Sequence, residues 1–173
     1  MAETRRPPSI WRELAGLGLK IAAIVAAFGL VVSFVFGLAR NSDADMVPAV
    51  HDGDIVVFYR LDKAYAVGDL IVLDAGSGRQ APQIRRVVAV AGDTVDITAA
   101  GLVVNGSVQE EAAIYQPTRR YDSPVTFPLT VGAGQVFVLG DARNNATDSR
   151  VYGAVDIHDT LGTVVTVIRR WGF

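Results

Sequence analysis

The sequence predicts a mainly β domain that follows a single N-terminal transmembrane helix. Three observations carry this. A run without a charge, Ile21 to Ala39, lies between Lys20 and Arg40. After it, short segments rich in β-branched and aromatic residues recur between Gly, Asp, Asn or Pro, which is how strands and their turns read. Beyond the first run no amphipathic helical period is convincing.

The apolar run comes first. A helix rises 1.5 Å per residue, so about 20 such residues cross a hydrocarbon core of about 30 Å. A cleaved signal peptide has a shorter apolar core, about 7–15 residues, and a small-residue cleavage site. A buried core helix carries a polar stripe, whereas this run is apolar all round. An uncleaved anchor over residues 21–39 fits better. Arg5, Arg6, Arg12 and Lys20 precede it, while Asp43 and Asp45 follow soon after Arg40. The positive-inside tendency then places a tail, residues 1–20, in the cytoplasm and the domain, residues 41–173, outside the cell membrane.

Strands are predicted at residues 54–59, 70–73, 86–90, 94–98, 102–104, 135–139 and 163–168. Ala99-Ala100-Gly101 joins two of them as a hairpin, with glycine supplying positive φ. Residues 107–125, with Pro117, Arg119-Arg120 and Pro124, read as a surface excursion and not as a separate domain. There is no internal repeat and no low-complexity tract.

Composition excludes several functions. Residues 41–173 hold 11 Lys or Arg against 16 Asp or Glu, a net charge of −5, so no nucleic-acid partner is expected. No cysteine occurs, which removes disulfides and thiolate metal sites. His51 and His158 stand alone, and Asp43-Ala44-Asp45 lacks the rest of a calcium loop. No metal and no cofactor are expected. Asn105-Gly106-Ser107 and Asn145-Ala146-Thr147 fit the glycosylation pattern but read as turns. Tyr115, Tyr121, Trp171 and Phe173 are candidates for interfacial anchors, though each alone reads better as core.

Five short motifs follow the anchor in order. They are Met46-Val47-Pro48; the turns Gly53-Asp54 and Val67-Gly68-Asp69; Arg85-Arg86-Val87 with Gly92-Asp93; Asn105-Gly106; and Gly140-Asp141-Ala142-Arg143-Asn144-Asn145-Ala146-Thr147-Asp148-Ser149-Arg150. In this order and spacing the chain resembles the type I signal peptidases, the S26 family with a serine–lysine dyad. The resemblance covers nearly everything from the anchor to the C-terminus. It implies a signal peptidase-like β domain in which a serine attacks the scissile carbonyl. A desolvated lysine takes the proton and hydrogen-bond donors hold the oxyanion.

On that resemblance, four positions of the machinery differ here. The nucleophile position before Met46 is Asp45, and a carboxylate is a poor acyl-transfer nucleophile toward a peptide. Ser42 lies three residues upstream, roughly 10 Å away along an extended chain. The general-base position is Arg85, whose guanidinium stays protonated. The hydroxyl that supports the lysine is replaced by Ala146, and an oxyanion donor by Asp43. Ala142 is a milder departure. Asp45 and Arg85 are expected to pair with each other, tying the N-terminal strand to the domain.

The resemblance therefore implies a catalytically inactive member, no enzyme, similar to the pilus assembly factors of Gram-positive envelopes. Such a protein would bind pilin or other exported segments by strand addition, with sortase a possible further partner. The cleft is expected around Met46, Pro48, Arg85, Arg86, Val87 and Val88. Gly140, Asp141, Arg143, Asp148, Ser149 and Arg150 are expected to form its scaffold. The rival readings are an active signal peptidase cleaving exported precursors and a regulatory subunit of one.

Overall fold

The protein is described here from a computed structural model covering residues 10–75, 81–112 and 114–169. Arg5, Arg6, Trp171 and Phe173, invoked above, lie outside the described residues. The chain divides into two units, residues 1–35 and 36–173.

Helix α1, Ile10–Val35, has 26 residues and buries none of them. It is long and apolar enough to cross a membrane, spanning about 39 Å at 1.5 Å per residue. Its bounds correct the expected span of 21–39. The helix begins earlier and stops at Val35, and the second unit starts at Phe36 instead of 41.

Phe36–Arg40 form strand β1, in register with β2, Ile55–Tyr59, from Phe36↔Tyr59 to Arg40↔Ile55. The pairing gives both backbones partners that a helix would have supplied only within itself. Gly37 permits it, because a Cβ there would stand 2.2 Å from the Phe58 ring.

The remaining strands are β3 Leu70–Leu73, β4 Gln83–Val90, β5 Thr94–Thr98, β6 Gly101–Val104, β7 Ser107–Val108, β8 Leu129–Thr130, β9 Gln135–Leu139, β10 Val155–Asp156 and β11 Thr160–Ile168. A one-turn helix α2, Ser149–Tyr152, precedes β10. One sheet has the order β1-β2-β11-β3-β4-β9-β10 and the second β7-β6-β5-β8, with every pairing antiparallel. The mainly β expectation holds. The β5–β6 hairpin also forms where predicted, with Gly101 at φ 109°.

Both sheets contribute to the core, and β4 and β9 are buried along most of their length. Val88 and Ala89 of β4 and Phe137 and Leu139 of β9 pack on Val95, Ile97 and Leu102 of the second sheet. Val56, Phe58, Val72 and Ile84 form another cluster, into which Met46 and Val50 insert from the β1–β2 connection. Full burial of a side chain such as Met46 contributes about 1.5–3 kcal/mol, so this connection is pinned to the sheet.

Candidate functional site

Three segments meet at Arg85: the β1–β2 connection, strand β4 and the stretch that follows β9. The first is folded by Asn41. Its buried side-chain amide donates to the carbonyls of Asp43 at 2.7 Å and His51 at 3.0 Å. Its backbone closes the same loop through Asn41 N to Asp54 O and Gly53 N to Asn41 O.

Arg85 is fully buried. Its Nε donates to Thr147 O at 2.9 Å and its Nη1 to Ile84 O at 2.6 Å. Nη1 also reaches Asp43 Oδ2 at 3.2 Å, and Nη2 donates to Asp45 Oδ2. The same Asp45 oxygen accepts from Thr147 N at 3.0 Å, and Asp43 Oδ1 accepts from Asp45 N at 3.1 Å. Two carboxylates thus share one guanidinium. The backbone amides of residues 45 and 147 are both spent on carboxylates.

Burial dominates the electrostatics of the cluster. Asp45 is raised above its ordinary pKa, chiefly by burial. The Arg85 guanidinium and the Thr147 amide oppose the shift, while Asp43 and Asp148 add to it.

The stretch after β9 is held close. Ala142 N donates to Asp45 O at 2.9 Å. A Cβ on Gly140 would lie 2.7 Å from that same oxygen and 2.3 Å from the Ala146 methyl, so only glycine lets the two segments approach. Asp148 caps α2 and accepts from Gly140 N at 3.0 Å. It also receives Arg150 through Nε at 2.9 Å and Nη2 at 2.7 Å, with both side chains fully buried. Ser149 Oγ accepts from Val138 N at 3.0 Å.

Arg143 is fully buried and takes both oxygens of Glu111 on its two terminal nitrogens, with Thr118 Oγ1 beside them. Tyr121 donates to Arg143 O at 2.8 Å, and its ring lies 4.0 Å from the Arg150 guanidinium carbon. Glu111, Thr118 and Tyr121 belong to the excursion, which is a clamp on the 140–150 stretch. Sequence reasoning did not assign Glu111 or Thr118. Arg143 stands in a polar stretch, with Asp141, Asn144, Asn145 and Asp148 close by in sequence, so nothing local pointed to a carboxylate from elsewhere.

Neighbouring residues of a strand face opposite ways, so Arg86 leaves Arg85 behind. It meets Asp141 bidentately, at 2.8 and 2.6 Å, and donates to Gly68 O at 3.0 Å. Its pKa is raised, first by the hydrogen bond to Asp141. Arg86, Val87 and Val88 line a cleft of about 230 Å³, walled by Val67, Leu102, Gln109 to Ala112 and Ile114.

The expected cleft is therefore divided. Arg86, Val87 and Val88 line one, although the Val87 side chain is fully buried in the core beneath it. Met46 and Arg85 are fully buried as well and offer no surface to a peptide, because one fills the core and the other is enclosed by its acids. Pro48 is exposed beside them.

Comparison with known proteins agrees with this architecture. A family profile described as "Signal peptidase, peptidase S26" matches residues 14–171. The chain is 30% identical to a probable signal peptidase I-1 of Synechocystis sp., over 95% of this chain and 89% of that protein. It is 32% identical to thylakoidal processing peptidase 1 of Arabidopsis thaliana over 73% of this chain, spanning only 39% of that longer protein. A crystal structure of a signal peptidase I from Enterococcus faecalis V583 superposes with a TM-score of 0.50 at 26% identity. It covers 59% of this chain and 97% of that one. With the fold, the motif order and the profile in agreement, the chain belongs to the signal peptidase family, peptidase S26.

Proposed function

We propose that this protein is a membrane-anchored member of the family that does not hydrolyse peptides and instead binds extended segments of exported proteins. One observation carries the proposal: a buried guanidinium occupied by two carboxylates at the positions that the resemblance gives to the dyad. Chemistry at such a centre lacks each part of acyl transfer. The position that the resemblance gives to the nucleophile holds the Asp45 carboxylate. Arg85 cannot accept a proton. The amides of residues 45 and 147 already serve carboxylates and are not free to stabilise an oxyanion.

Binding has separate support. The cleft along Arg86, Val87 and Val88 joins apolar walls to a fixed charge pair, a composition suited to an extended apolar segment with polar backbone. A pilin as occupant rests on the resemblance alone, and the relatives reported above are peptidases by name. A cleaving enzyme is thus the second reading.

The experiment uses the full chain in lipid vesicles with a secretory precursor. No cleavage is expected from the natural protein, nor from Asp45→Ser with Arg85→Lys, which still carries Asp43 and Ala146. Specific cleavage abolished by Asp45→Ala would establish the enzyme reading. Photocrosslinking from the cleft wall then identifies the occupant: expected are extended apolar segments, pilin-derived or other, lost in Val67→Asp, which changes an exposed wall residue of the cleft.

A further inference from the structure

The cleft along Arg86, Val87 and Val88 continues into a second hollow of about 170 Å³, and the two share Leu102, Gln109, Glu111 and Ile114. They form one groove from Val67 and Gly68 to the β5–β6 turn at Ala99–Gly101. The first hollow is lined mainly by apolar surface. Leu102 is buried there, while Val67 on the wall is 59% exposed. Tyr115, read alone as core, is 84% exposed next to Ile114.

Pairing off the charges of this groove leaves one over. Arg86 is matched by Asp141, and Glu111 by the buried Arg143. Glu110 lines the first hollow and is exposed. Among the described residues no hydrogen bond or ion pair reaches its carboxylate. Gln109 beside it directs its side-chain amide to Ser107 O at 2.9 Å, away from this acid.

Position separates Glu110 from an ordinary solvated surface acid. It stands at the mouth of a hollow with apolar walls, and low-dielectric walls concentrate the field of a charge between them. Residues 41–173 carry a net −5, which adds to the attraction for a cation and to the repulsion of an anion.

We propose that the groove selects extended apolar segments that carry a lysine or arginine, and that Glu110 makes the selection. The inference rests on the groove being a peptide-binding site, as proposed above. A wholly apolar occupant dehydrates Glu110 without giving it a partner, which is unfavourable. A basic side chain removes that penalty. Its aliphatic stem lies along Val67 or Ile114 while its charged head reaches the carboxylate at the mouth. An acidic side chain in the same place adds like-charge repulsion, so the groove both attracts and rejects.

Three peptides test this. They share an extended apolar sequence with a photoreactive leucine and differ at one central residue: lysine, norleucine or glutamate. Each is added to the full chain in phosphatidylcholine nanodiscs, and the crosslinked residues are located by mass spectrometry. Crosslinks at Val67, Leu102 and residues 109–112 are expected to be strongest for lysine and weakest for glutamate. The half-saturating concentrations for lysine and norleucine should differ about two- to fivefold, the range of an exposed ion pair, and the gap should narrow in high salt. Glu110→Gln is expected to abolish the difference and Glu110→Lys to reverse it, so that the glutamate peptide leads. Glu110 makes no bond that either variant would break, so both should melt with the natural protein. Equal crosslinking of all three peptides within the groove would overturn the inference and leave the groove a peptide site. A lysine preference that survives in Glu110→Lys would also sink it, since the selecting acid would then lie elsewhere. Peptides that never crosslink within the groove would remove the binding reading, and this inference with it.

Discussion

Replacing Arg85 with methionine tests whether the guanidinium holds the site together. Methionine keeps much of the side chain's length and none of its donors. Four acceptors lose their partner: Thr147 O, Ile84 O, Asp43 Oδ2 and Asp45 Oδ2. Asp45 keeps the Thr147 amide and Asp43 keeps the Asp45 amide, but no positive charge remains between them. Removing one member of a buried pair costs about 3–5 kcal/mol. Here the side chains of Asp43 and Asp45 are 26% and 17% exposed, so water relieves part of that. The lower end, about 3 kcal/mol, is expected. For a unit of this size it lowers Tm by roughly 10 °C. Urea unfolding of the full chain in micelles, followed by far-UV circular dichroism, measures it. The triple variant with Asp43→Asn and Asp45→Asn should recover at least about half of the loss, since no lone charge is left. A cost for Arg85→Met below about 1 kcal/mol, the range of exposed pairs, would refute the clamp.

Three further outcomes test neighbouring parts of the site. Asp148→Asn turns an amide NH2 or a weaker acceptor toward Arg150 and Gly140 N. Both charges are fully buried, so a loss of about 3 kcal/mol is expected in thermal melts; unchanged stability would mean a solvated pair. Gly140→Ala forces the segments apart at Asp45 O, costing about 1–3 kcal/mol, and hydrogen exchange should show faster exchange at the Ala142 amide that bonds that oxygen. Asp45 carries a raised pKa, so between 3.8 and the folded value the native state holds more protons than the unfolded one. Its share of stability therefore rises as pH falls through that window. The natural protein should gain on Asp45→Asn during acidification from neutral pH, read as the difference between their denaturation midpoints. A natural protein that instead loses ground would contradict the sign.

The sequence and the structure agree where a local pattern and a tertiary role coincide. Met46-Val47-Pro48 was legible through the resemblance, but Met46 was expected at the cleft and is instead wholly within the core. The β5–β6 hairpin was legible because Gly101 needs positive φ. The end of α1 was not legible, since Phe36–Ala39 are as apolar as the helix before them. Only pairing with β2, set by residues 55–59, converts them to strand. β7, β8 and β10 are two-residue strands, too short for a period to show. Glu111 and Thr118 come from an excursion without periodic signal and meet Arg143 only in three dimensions.

Strand geometry separates the cluster around Arg85 from the cleft. Arg85 and Arg86 are neighbours on β4, yet alternation sends them to different partners: Asp43 and Asp45 for one, Asp141 and Gly68 for the other. Arginine suits the first position once a proton acceptor is not required. Its five donors reach a carbonyl on each of two segments and two carboxylates on a third, where a lysine ammonium has three donors at a single point. The Ala146 methyl packs against Gly140 beside this cluster. None of these changes touches the opposite face. The cleft along Arg86, Val87 and Val88 is shaped by Leu102 and the excursion, with the Arg86–Asp141 pair at its edge, so the closure around Arg85 leaves its lining unchanged.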